Sequence, residues 1–200
     1  MKDEKIIFIH IPKTAGYTIG RGLKAIGVLK KGYGFSHNIA RDIIKPHHRK
    51  YIIFAVVRNP YDRLYSVYEF YRTNQTKRRD IDKNVTFEQF IMTFEQNYYP
   101  RKIQFNTCFD FLTDESGNLM TTDIIKFENL AEEYNAFCKK YNIENNLTKR
   151  NVNKSKNIDI DWSKLYNDEM KCIVENIFYN DFETFDYSYA SFIGNCVWSV

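Results

Sequence analysis

Long apolar runs are missing from this 200-residue chain. Its most continuous stretches, around residues 5–11 and 51–57, fall far short of the roughly 20 residues that a bilayer span needs. Met1-Lys2-Asp3-Glu4-Lys5 leads into only six or seven apolar residues, too few for the core of a signal peptide. The expectation is a cytoplasmic or otherwise soluble chain, or a soluble part of a longer one, with no membrane span. Cysteine is scarce, and Cys108, Cys138, Cys172 and Cys196 stand far apart. No pair has the C-x-x-C spacing of a zinc ribbon or a dithiol redox site, so free, mostly buried thiols are expected and no metal site is read from the chain. An excess of one charge is also lacking: 29 Lys and Arg against 25 Asp and Glu leave a net +4. That balance fits a small anionic ligand or an acidic polymer but is too slight to argue for nucleic acid. The two basic runs, Lys45 to Lys50 and Lys77-Arg78-Arg79, carry no interleaved aromatics of the kind that line single-strand grooves. They read as solvated charge or as steering for an acidic glycan. Internal repeats are absent, and so is the triphosphate loop G-x-x-x-x-G-K-[ST].

What is present is an ordinary globular composition rich in aromatics, with 16 Phe and 15 Tyr. A chain of this size buries roughly 70% of its unfolded surface without staples, and one domain over residues 1–200 is expected. The apolar runs at 5–11 and 51–57 suit central parallel strands covered on both faces. Each leads through a polar turn into a helical pattern, Ile19–Ile26 after the first and a helix opening at Pro60 after the second. Thr86 with Gln89 has capping-box spacing ahead of Phe87, Phe90, Ile91 and Phe94. A turn at Asp114-Glu115-Ser116-Gly117-Asn118 separates Phe109–Leu112 from a third strand at Ile124–Phe127. Asn129 with Glu132 is expected to cap a helix to about Tyr141, residues 143–160 read as a polar loop, and a last helix is expected over Asn167–Tyr179. Strands alternating with helices imply an α/β fold with a mostly parallel sheet, whose ligands sit at the carboxyl ends of the strands.

Two motifs occupy those ends. The first strand runs into Pro12-Lys13-Thr14-Ala15-Gly16-Tyr17-Thr18, a small-residue loop that opens a helix. Backbone N–H groups and the helix dipole favour an anion there, and Lys13 adds a mobile positive charge. Because Lys13 precedes Gly16 rather than following it, a magnesium-dependent triphosphate site is disfavoured. The second strand runs into Arg58-Asn59-Pro60-Tyr61-Asp62-Arg63-Leu64-Tyr65-Ser66. There Arg58 offers two parallel hydrogen bonds to a phosphate and Ser66 a third. The plainer alternatives are an ordinary strand–turn–helix with a surface lysine, and an Arg58–Asp62 pair that fixes a turn.

The first motif resembles the 5′-phosphosulfate loop of sulfotransferases that use 3′-phosphoadenosine 5′-phosphosulfate (PAPS), and the second resembles their 3′-phosphate motif. The order His-Ile-Pro-Lys-Thr-Ala-Gly, then Val-Arg-Asn-Pro-Tyr-Asp-Arg, is similar to the carbohydrate O-sulfotransferase branch, which includes heparan 2-O- and chondroitin-type enzymes. Lys126-Phe127-Glu128-Asn129-Leu130 and Asn153-Lys154-Ser155 match in style. Tyr17 stands where that family more often has a small residue. The resemblance implies a P-loop-like α/β sandwich and in-line transfer of a sulfonate to an acceptor hydroxyl without a metal. It places Lys13 at the leaving oxygen and Pro12, Lys13, Thr14, Ala15, Gly16, Tyr17 and Thr18 around the 5′-phosphate. Arg58 and Ser66 would hold the 3′-phosphate, and Asn153, Lys154 and Ser155 would close over the nucleotide.

The acceptor hydroxyl needs a base. His37 is the first choice, since imidazole titrates near neutrality and the segment resembles that of the histidine base in the heparan 2-O branch. Glu69, one helical turn beyond Ser66, is the alternative. His10 reads as a packed histidine, and His47 and His48 as part of a solvated connection. The expected partner is a hydroxyl-bearing glycan or glycoconjugate, read by variable loops at about 28–48, 72–86 and 95–106. A nucleotide-dependent kinase with an unusual loop and a non-catalytic nucleotide-binding module remain competing readings.

Overall fold

The three expected strands form one parallel sheet in the computed structural model, which describes residues 6–27, 36–73, 81–145, 147 and 161–190. β1 (Ile6–Ile9), β2 (Ile52–Val57) and β3 (Asp123–Lys126) lie in the order β1-β2-β3. Ile9 pairs with Ala55 and Val57 with Lys126, so the three carboxyl ends finish close together along one edge. All six residues of β2 are buried, as an uninterrupted apolar central strand requires.

In chain order the helices are α1 (Gly16–Ala25), α2 (Ala40–Ile43), α3 (Pro60–Thr73), α4 (Phe87–Met92), α5 (Phe94–Asn97), α6 (Cys108–Leu112), α7 (Leu130–Lys140), α8 (Asp168–Ile177) and α9 (Tyr179–Phe185). The contacts gather into two compact units, one of Met1–Arg58 with Cys108–Ile158 and one of Asn59–Thr107 with Asp159–Val200.

The first unit holds the sheet. On one face Phe8 stacks on Phe54 at 4.9 Å, and Phe54 meets Phe137 of α7 at 4.3 Å. Ile19 and Leu23 of α1 complete that layer. Asp123 at the start of β3 accepts from Lys140 and from Tyr141, each at 2.6 Å, tying α7 to the sheet. The expected Asn129 cap on α7 is replaced. A short 3₁₀ turn, Phe127–Asn129, precedes the helix, and Asn129 makes no side-chain cap. Glu133 reaches back instead and accepts from the Lys126 N–H at 2.6 Å.

The second unit is an aromatic core. Phe90, Phe94, Tyr98 and Phe105 pack with ring centroids 4.9–6.3 Å apart, the range in which edge-to-face and offset contacts add to area burial. The capping box on α4 forms in both directions, with Gln89 N–H on Thr86 Oγ1 at 3.1 Å and Thr86 N–H on Gln89 Oε1 at 2.9 Å. Asn167 caps α8 through the Met170 N–H at 2.9 Å, and the last expected helix divides at Phe178 into α8 and α9. Cys108 and Cys138 are free and buried. Cys172 departs from the expectation of free thiols: it is disulfide-bonded. Pairing depends on spatial approach that spacing alone does not reveal. Among the described residues no helix is long and apolar enough to cross a membrane.

Glu175, buried on α8, accepts a short hydrogen bond from the Tyr61 hydroxyl and a second at 2.9 Å from the Ala190 N–H. Burial first, and then the Glu175 carboxyl, drive the Tyr61 phenol well above its ordinary range. Replacing Tyr61 by Phe keeps the ring and strips a donor from a buried carboxylate, so Tyr61→Phe should lower unfolding free energy by about 1–3 kcal/mol. Urea denaturation checks this, and an unchanged midpoint would contradict it.

Candidate functional site

The loop after β1 is shaped by its own backbone. Lys13 and Ala15 both adopt left-handed conformations, with φ of 67° and 63°. Non-glycine residues take up that conformation at a cost of about 1–3 kcal/mol unless their surroundings enforce it. Three contacts enforce it here. Thr14, fully buried, donates from Oγ1 to the Ile11 carbonyl at 2.9 Å. Arg58, the residue that ends β2, donates from Nη1 to the Lys13 carbonyl at 3.0 Å. The Ala15 carbonyl accepts from Thr18 and Ile19, so α1 begins at Gly16, three residues earlier than its apolar pattern indicates. The helix start carries no side-chain cap and no acidic residue in its first turn, unlike α4 and α8, whose starts are capped by Thr86 and Asn167.

Arg58 is held on its other side by Phe127, the residue after β3, with the guanidinium carbon 4.1 Å from the ring centroid. All three strand ends therefore contribute to one spot. Lys13 is half-buried there. Burial, and then the positive charge of Arg58, lower its ammonium from the usual 10.5 to about 8. Two cations meet a helix start whose first turn carries no acidic residue, and such an arrangement attracts a multiply charged anion.

Gly16 has a stricter role than flexibility. A Cβ at this position would lie 1.8 Å from the His10 Cδ2, so the imidazole rests on the loop backbone. His10 is also stacked on Phe8 at 6.0 Å and meets the edge of His37 at 4.7 Å. The expectation of a packed His10 holds, and its packing brings His37 to the loop. Tyr17 projects outward, 61% exposed, with Arg21 5.7 Å from its ring centroid. Ser66 lies half-buried on α3 in the second unit. Glu69 is paired with Arg72 at 2.9 Å. Asn153, Lys154 and Ser155 lie outside the described residues, as does Lys77-Arg78-Arg79. His48 corrects its reading as a solvated residue: it is buried, accepts from the Lys45 N–H at 3.0 Å through Nδ1, and packs on Tyr51.

The profile of the sulfotransferase family matches residues 1–188. The chain belongs to the sulfotransferase family. Searches of curated proteins and of solved structures returned no match. Membership makes the chain a transferase of sulfonate groups with the P-loop-like α/β fold of that family, consistent with the parallel sheet and its flanking helices. In this sulfotransferase, residue order alone points to Lys13 and Arg58. The parts missed by sequence reading are His10 as a contact of the loop and Phe127 as the seat of Arg58. Both are the first residue beyond a strand, which is the signal that marks them.

The depressed Lys13 pKa makes stability depend on pH. Below about 8 the lysine is charged in folded and unfolded chains alike, and the fold carries the full penalty of the buried charge. Between about 8 and 10.5 the unfolded chain binds the extra proton, so stability rises with pH. Buried tyrosines act in the opposite sense from about pH 10 upward, where their phenols ionise in the unfolded chain, so the comparison is with Lys13→Met. The stability of wild type relative to Lys13→Met should increase from about pH 7 to about pH 10 in urea titrations. A constant difference would contradict the burial of Lys13.

Proposed function

We propose that this sulfotransferase is a PAPS-dependent O-sulfotransferase acting on a hydroxyl of a carbohydrate or glycoconjugate. The observation that carries the reading is the pairing of Lys13 with Arg58 beside the uncapped start of α1. A nucleotide with phosphates at both the 3′ and 5′ positions has the charge to occupy it. The family match runs across segments of both units, which supports reading residues 1–200 as one sulfotransferase domain.

In this reading Pro12 to Thr18 surround the 5′-phosphate, which the backbone N–H groups from Thr14 to Tyr17 and the Thr18 hydroxyl hold; the Thr14 hydroxyl, buried and donating to the Ile11 carbonyl, shapes the loop instead. The resemblance of the second motif assigns the 3′-phosphate to Arg58 and Ser66. PAPS supplies the activated sulfonate. His37 takes the proton from the acceptor hydroxyl as its oxygen bonds to sulfur. The bond from sulfur to the phosphate oxygen breaks in line, and Lys13 stabilises the charge left on that oxygen. The contact of His37 with His10, beside the loop, supports His37 as the base. The ion pair that holds Glu69 counts against the alternative. The acceptor class rests on the resemblance of the two motifs to the carbohydrate branch.

Binding to the native state alone raises the melting temperature. A thermal-shift screen should show stabilisation by 3′-phosphoadenosine 5′-phosphate (PAP) exceeding that by ATP or GTP. Lys13→Ala should lower sulfonate transfer to a glycan panel by about 100-fold or more while the far-UV spectrum stays native. Equal stabilisation by ATP, or full transfer by Lys13→Ala, would overturn the assignment.

A further inference from the structure

We infer that His10 is a positioning residue for the reaction: one imidazole braces the phosphate loop and sets the orientation of His37. The inference rests on the donor and base assignments above and deepens them. Three contacts of the same ring carry it. The ring is anchored on the sheet, parallel to Phe8 within 15° at 6.0 Å. It lies so close to the loop that a Cβ on Gly16 would fall 1.8 Å from its Cδ2 and 2.2 Å from its Nε2. It also meets the edge of His37, at 4.7 Å and 76° between planes. A displacement of His10 therefore moves the loop that carries Lys13, or the base, or both.

The geometry also explains why residue 16 is glycine. The φ of Gly16 is ordinary for a helix start, so conformational freedom is not the reason. The space that a side chain would fill is occupied by the His10 ring. His10 and Gly16 are thus a coupled pair, and substitutions at the two positions should not be additive.

The test is a double-mutant cycle read by stability, by binding and by turnover. Gly16→Ala in the wild-type background should lower the melting temperature by about 5 °C through overpacking and weaken PAP binding, measured by calorimetry, by about tenfold. In the His10→Ala background the same substitution should cost little in either measurement, because the added methyl enters the vacated space. His10→Ala alone should lower kcat by at least about tenfold while the Kd for PAP stays within about threefold. It should also move the acid limb of the kcat–pH profile and shift the His37 ring resonances in the nucleotide-free protein. Should His10→Ala fail to fold, His10→Asn is the substitute. An equal cost of Gly16→Ala in both backgrounds would overturn the inference. So would His10→Ala with unchanged kcat, pH profile and His37 resonances. If wild type fails to bind PAP while the melting-temperature cycle and the His37 shifts appear as stated, the donor assignment fails and the bracing role of His10 stands.

Discussion

Two positive charges held together at the carboxyl edge of a parallel sheet set the conditions for everything around them. Arg58 grips the Lys13 carbonyl and in doing so holds Lys13 in a left-handed conformation. The same guanidinium lowers the proton affinity of the Lys13 ammonium, which burial has already weakened. Like charges are brought together at a helix start that no side chain caps. The sheet makes this possible, because residues 13, 58 and 127 follow the ends of three neighbouring parallel strands. A multiply charged anion bound there would relieve the repulsion and complete the helix start together.

Much of the architecture was legible in the sequence because it depends on local patterns. The uninterrupted runs Ile6–Ile9 and Ile52–Val57 read as buried parallel strands, and the Thr86–Gln89 box forms as its spacing implied. Lys13 and Arg58 were legible as residues at strand ends with the chemistry of anion binding. The failures share a cause, which is that three-dimensional approach overrides local pattern. The start of α1 moved to Gly16 because two residues with positive φ reshape the loop before it. Glu133, not Asn129, serves the start of α7, because a 3₁₀ turn inserts ahead of the helix. His48 is buried because its imidazole closes a turn on Lys45. His10 packs as expected, and what the sequence did not show is that its ring takes the space of a side chain at residue 16.

The motif that supplies Arg58 also builds the second unit. Tyr61, four residues before Tyr65, joins α3 to α8 through Glu175, and Tyr166 donates to the Tyr61 carbonyl at 2.8 Å. Arg63, from the same stretch, is 1% exposed. A segment whose first residue is assigned to anion binding therefore serves packing for much of its length. Its residue types alone do not separate the two duties. Burial does, since Tyr61 and Arg63 lie within the core while Ser66 is half-buried.

The most direct test of the two-cation site is proton exchange on nucleotide binding. Calorimetry of PAP binding at about pH 8.5, in buffers of different ionisation enthalpy, counts the protons taken up. Lys13, with a pKa of about 8 before binding, is then mostly neutral, and a phosphate beside it favours the charged form. The account predicts proton uptake by wild type that disappears in Lys13→Met. Binding with no uptake, or with the same uptake in Lys13→Met, would contradict it.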